Sequence, residues 1–197
     1  MTAEACAALV ERGDPWRWRA AMAAPAEIRG GLMALYALNL EAARAGFVTS
    51  EPMLGAIRLR WWADAVDEIF AGRPPRRHEV TEPLAEAIRA GDLPRGPLDA
   101  LIAAREWDCG REPFADLRAL TAYLDATGGG LTWLAAARRG RGRLPGQVLP
   151  ALLPAAGAGA ALKWALRRPE MVAAGELETS ELRARGAMLA MALTGRW

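Results

Sequence analysis

Three neighbouring carboxylates offer the most direct chemistry in this sequence: Asp64, Asp67 and Glu68, in the run Asp-Ala-Val-Asp-Glu. On a helix, positions i, i+3 and i+4 share a face. Carboxylates one turn apart are hard oxygen ligands that suit Mg2+, and a metal held there can neutralise a diphosphate leaving group. The same run also reads as a solvated acidic face in which Asp64 pairs with Arg60 one turn earlier. A second cluster, Arg138-Arg139-Gly140-Arg141-Gly142-Arg143, carries the charge to clamp a phosphate or an anionic membrane surface. It reads equally as an exposed Gly/Arg loop spanning residues 138–146. The doublet Trp61-Trp62 either lines a lipid pocket or splits its rings between the core and a helix–helix seam, because adjacent helical positions point about 100° apart. His78 follows the Pro/Arg segment 73–77 with no partner nearby in sequence and is expected to be exposed. No Gly-x-Gly-x-x-Gly follows a strand and there is no Walker loop, so no nucleotide site is indicated.

The elements that must carry these residues read as helices. β-Branched residues are scarce, no segment alternates over strand length, and alanine and leucine dominate. Asp14-Pro15 is an N-cap followed by proline at the first helical position. Pro25 opens a helix with Glu27 in its first turn, and Leu32, Leu35, Tyr36 and Asn39 mark one face of it. Glu51-Pro52 starts a helix that Gly72 ends, Thr81-Glu82-Pro83 starts another, and further helices are expected over Pro94–Cys109 and Pro113–Arg139. Leu117, Leu120, Tyr123 and Leu124 would supply the apolar stripe of the last. Gly128-Gly129-Gly130 interrupts it. Each interior glycine costs about 1 kcal/mol relative to alanine, so the triplet marks either a helix end or a close approach to bare backbone.

The length of 197 residues suits one domain, 1–197, with a core that needs no staples. Two cysteines, Cys6 and Cys109, exclude a disulfide scaffold and a cysteine zinc site, and one histidine excludes His-rich metal centres. Basic and acidic residues number 25 and 23, which argues against a nucleic-acid binder. No stretch reaches the roughly 18–20 apolar residues of a membrane span. The N-terminal segment carries Glu4 and Glu11 without a basic region, so the expectation is a cytoplasmic protein with reduced thiols.

The order of segments carries a resemblance. Met33-Ala-Leu-Tyr-Ala-Leu-Asn-Leu-Glu41 is similar to the "ALYAFxR" helix of the squalene/phytoene synthase family, with Pro25 and Arg29 where that family has a preceding Pro and Arg. Glu51–Ile69, Leu101–Asp108 and Pro113–Leu131 resemble the helices that follow, and Tyr123 through Gly129 matches its "Y…AG" segment. The similarity spans most of residues 14–135. It implies an all-α, terpenoid-synthase-like bundle around a central apolar cavity, shortened at its C-terminal end. Trp18, Tyr36, Asn39, Trp61, Asp64, Glu68, Gly128 and Gly129 are then expected to line that cavity, the glycines as bare backbone facing it.

The departures from the family pattern point away from synthase chemistry. Active members carry an Arg followed by a DxxxD motif at the end of the "ALYAF" helix, where this chain has Leu40, Ala43 and Phe47. The second DxxxD should fall within Leu162–Ala173, which holds Lys163, Arg167, Arg168 and Glu170 but no aspartate. Apolar and cationic side chains cannot coordinate Mg2+. A branch of the family that includes a mitochondrial complex I assembly factor also lacks these aspartates, and Asn39-Leu40-Glu41, Trp61-Trp62 before Asp64, and Leu166–Gly175 resemble it more than the synthases. The resemblance thus implies a catalytically inactive homologue, without catalytic residues or cofactor, that binds a partner during assembly of a respiratory complex. Two alternatives stay open: a prenyl diphosphate transferase using Mg2+ on Asp64, Asp67 and Glu68, and a prenyl-lipid carrier. Residues 176–197 leave room for one more helix, Ser180–Thr194. Apolar surface left by a shortened bundle would be covered by a protein partner, a second copy, or peripheral contact with the inner membrane.

Overall fold

The computed structural model describes residues 3–90, 93–110, 112–137 and 167. The Gly/Arg loop 138–146, the second aspartate-motif region apart from Arg167, and the expected helix Ser180–Thr194 lie outside the described residues. Among the described residues the regular elements are all helical and there is no strand. The order is α1 (Ala3–Gly13), α2 (Pro15–Met22), α3 (Ala26–Arg44), α4 (Pro52–Phe70), α5 (Thr81–Arg89), α6 (Arg95–Ala104), α7 (Glu106–Gly110), α8 (Leu117–Leu124), a π-turn (Asp125–Gly129) and α9 (Gly130–Ala137).

Local chemistry sets most of the boundaries. The Asp14 carboxylate accepts the Arg17 backbone N–H at 2.9 Å while Pro15 fills the first helical position. Asp116 caps α8 the same way, accepting the Ala119 N–H at 2.7 Å, so that helix starts four residues after Pro113. Gly72 adopts φ +75° directly after α4, a left-handed conformation that a side chain would strain, and it turns the chain into the 73–80 loop.

α3 is the central element. Every residue from Gly31 to Asn39 is buried, so the helix is covered on all sides and not on one face alone. It packs against α1, α2, α4, α5, α6 and α9. Close backbone approach pins its C-terminal end: a Cβ on Gly46 would lie 2.5 Å from the Asp108 carbonyl oxygen, and one on Gly55 would lie 2.7 Å from Cys109 Sγ. Only hydrogen in place of a side chain lets the α3–α4 turn and the start of α4 press onto α7.

Two expected helices are divided. The segment 94–109 breaks at Arg105, whose N–H reaches back to Ile102 O at 3.1 Å while its side chain turns into a polar cluster described below. The segment that begins at Pro113 passes through the π-turn into α9, so the glycine triplet does not end the helix; a Cβ on Gly128 would meet nothing within 4 Å, although α6 packs near the π-turn. Leu117 and Leu124 of α8 are exposed while Leu120 and Tyr123 are half-buried, so only part of the expected apolar stripe is covered.

Candidate functional site

α4 carries the acidic run and the tryptophan doublet, and the 73–80 loop folds back on it. The three carboxylates do not converge. Asp64 accepts from Arg60 Nε at 2.8 Å, the helical pair the spacing suggested. Glu68 receives a two-pronged contact from Arg76, at 2.8 Å to Nε and 3.0 Å to Nη2, and Arg76 also lies 3.8 Å from Asp64. Asp67 turns away to pair with Arg95. The Arg76 hydrogen bonds hold the Glu68 carboxyl below its usual range. A guanidinium therefore stands where a metal would have to sit between Asp64 and Glu68. Among the described residues no three His, Cys, Asp or Glu side chains group as metal ligands, and these residues do not fit Mg2+.

Beyond that ion-pair cluster, the loop builds an aromatic wall. Trp62 is only 4% exposed and Trp61 is half-buried, so the doublet divides between core and seam. Their rings meet edge to face at 4.9 Å. His78 is half-buried and not free: it packs against Trp62 at 4.9 Å and Trp61 at 5.5 Å, and its Nδ1 accepts the Val80 N–H at 3.2 Å. The expected exposed histidine is corrected by a contact that only the folded loop creates. Arg76 lies over the Trp61 ring at 5.4 Å and donates to the Trp61 carbonyl at 3.3 Å. Trp61, Trp62 and His78, with Glu41 and Arg58, line a recess of about 190 Å3.

A second polar cluster, absent from the sequence reading, joins four elements. Arg105 Nη1 donates to Asp108 Oδ2 at 3.1 Å and to the Tyr123 hydroxyl at 3.0 Å, and Nη2 donates to Asn39 Oδ1 at 3.3 Å. The Tyr123 hydroxyl donates to Asp108 Oδ1 at 2.7 Å. Asp108 is 4% exposed, so the pair is largely shielded from solvent. Burial, then the Asp108 hydrogen bond, pushes the Tyr123 phenol above its usual range. Trp107 stacks on Phe114 at 4.0 Å, and Tyr123 completes that aromatic group.

The remaining expected lining residues are dispersed. Tyr36 is buried in the core, Asn39 is buried beneath Arg105, and Trp18 is half-buried against the core from α2. Gly128 and Gly129 are exposed in the π-turn, and a Cβ on Gly128 would meet nothing within 4 Å. At the first aspartate-motif positions, Leu40 packs against the core beside Gly13, Ala43 is half-buried, and Phe47 is 66% exposed.

Residues 10–132 match the squalene/phytoene synthase family. The chain belongs to that family. Among curated proteins it is similar to NADH dehydrogenase (ubiquinone) complex I, assembly factor 6 of Bos taurus, 29% identical over 129 residues, covering 66% of this chain and 38% of that protein. The Homo sapiens protein of the same name is 26% identical over the same coverage. The Drosophila melanogaster homolog is 29% identical over 133 residues, covering 64% of this chain and 39% of that one. The chain thus spans about two fifths of the length of the curated relatives it matches. No solved structure gives a significant match. Among the described residues no helix is long and apolar enough to cross a membrane.

Proposed function

We propose that this family member acts by binding, as an assembly factor for a respiratory complex, and does not transfer prenyl groups. The observation that carries the reading is the side-chain set at the first aspartate-motif positions: Leu40 turned into the core, a small Ala43 and an exposed Phe47, none able to hold a metal. The only clustered alternative among the described residues, Asp64 with Glu68, is already neutralised by Arg76. Diphosphate departure would then lack its main electrostatic assistance. The names of the relatives supply the class of partner, a component of complex I. Exposed Phe47, Val48, Met53, Leu54 and Ile57, on the α3–α4 turn and the start of α4, give apolar surface for such a contact.

The test has two arms. Incubation with farnesyl or geranylgeranyl diphosphate and Mg2+ should release no pyrophosphate; metal-dependent release would return the protein to the transferases. Deleting the gene in its source organism should lower assembled complex I on native gels and NADH-dependent quinone reduction in membranes. Unchanged complex I would refute the assembly role. Native mass spectrometry of the purified protein reads out a bound prenyl lipid or a dimer directly.

A further inference from the structure

The recess beside Trp61 has a chemistry that the assembly reading does not use. We propose that the cavity walled by Trp61, Trp62, His78, Arg58 and Glu41 is a binding site for a small planar aromatic carboxylate.

Arg58 is exposed on α4 and has no ion-pair partner among the described residues, unlike Arg60, Arg76 and Arg95, which each hold a carboxylate. His78 Nδ1 accepts the Val80 N–H, which places the proton of the neutral ring on Nε2 and makes that nitrogen a donor. Trp62 is only 4% exposed, and its indole N–H makes no hydrogen bond among the described residues. Trp61 likewise makes ring contacts without a side-chain hydrogen bond among the described residues. The lining residues therefore carry a guanidinium, an imidazole N–H donor and two indole rings, against one carboxylate. That carboxylate, Glu41, faces Arg44 at 3.5 Å, which offsets its charge.

A donor-rich recess with ring walls suits an acceptor-rich, flat and anionic ligand. A carboxylate matches the planar fork of arginine, and an aryl ring matches the indole faces and edges. The volume, about 190 Å3, lies below the roughly 300–1,000 Å3 of drug-sized pockets, which sets the scale at one ring with its carboxyl group. The nearby acids Asp64 and Glu68 do not oppose an anion, because Arg60, Arg73 and Arg76 neutralise them. The site is independent of the proposed assembly role, and either can fail alone.

Titration of the full chain with benzoate, followed by the indole N–H resonances of Trp61 and Trp62, tests the proposal. Saturable shifts of those two signals in the millimolar range are expected, with roughly tenfold weaker binding in Arg58→Gln, a solvent-facing substitution that leaves the core intact. Trp61→Leu should weaken benzoate similarly while the remaining indole spectrum stays native. Benzamide, without the charge, and cyclohexanecarboxylate, without the aromatic ring, should each bind at least several-fold less well. Absence of a saturable shift, unchanged affinity in Arg58→Gln, or equal binding of cyclohexanecarboxylate would overturn the proposal. Pyrophosphate binding tighter than benzoate would overturn it too, by assigning the recess to compact oxyanions.

Discussion

Replacing Asp108 by alanine removes the only carboxylate from the cluster that joins α3, α6, α7 and α8. Arg105 then loses its 3.1 Å partner and keeps only the Tyr123 hydroxyl at 3.0 Å and Asn39 Oδ1 at 3.3 Å. Its Nε is already buried without a partner, so no spare acceptor reaches it among the described residues. Tyr123 also loses the acceptor of its 2.7 Å bond. Removing one member of a buried pair destabilises by about 3–5 kcal/mol because the other charge is stranded. With a urea dependence of about 2 kcal/mol per molar, the midpoint should fall by roughly 1.5–2.5 M. Urea unfolding followed by circular dichroism measures this. Arg105→Met with Asp108→Leu and Tyr123→Phe removes the charges and the hydroxyl together, and most of the lost stability should return. A single-mutant loss under about 1 kcal/mol, or a triple variant worse than Asp108→Ala alone, would refute the reasoning.

Other expectations follow from the same geometry. Gly46→Ala should lower stability by about 1–3 kcal/mol, since the new Cβ meets backbone and not a movable side chain; thermal unfolding reads this out. Arg76→Gln should loosen the 73–80 loop, shown by faster amide exchange at Val80, with the effect shrinking at high salt. Burial raises the Cys6 thiol from 9.0 to about 11 and lifts the Tyr123 phenol above 10.0. Both groups favour the protonated folded state, so stability should hold below pH 9 and fall as pH rises towards 11, a slope that Cys6→Ala should flatten. Fully enclosed Cys6 should resist alkylation by iodoacetamide at pH 8 until the protein unfolds.

Punctuation and helical spacing were the legible parts of the sequence. Asp14-Pro15, Pro52 and Gly72 each act within a few residues, so their effect is written locally. The Asp64–Arg60 pair was readable because helix geometry fixes what lies four residues away. Arg76 reaches Glu68 from eight residues away around a loop, and Asn39 meets Arg105 across 66 residues, so neither follows from spacing. His78 does not follow from spacing either: its partners come from the fold of a Pro/Arg segment with no periodicity. The burial of α3 on every side was hidden because its Leu/Ala/Tyr pattern resembles that of a one-sided helix. The family motifs located the helices along the chain, but motif order does not say which side chains meet.

The π-turn sets the phase of everything that follows it. A wider turn takes one residue more than an α-turn, and each residue of helix advances the wheel by about 100°. Through Asp125–Gly129 the chain is clocked round by that amount before α9 begins. This brings Leu131, Leu134 and Ala135 into the core and sends Trp133 out to 54% exposure. Deleting a single glycine from the triplet would leave composition and helix content almost unchanged, yet it would rotate a different set of side chains inward. The triplet therefore works as a timing element: its length, more than its openness, decides which face of α9 the core receives.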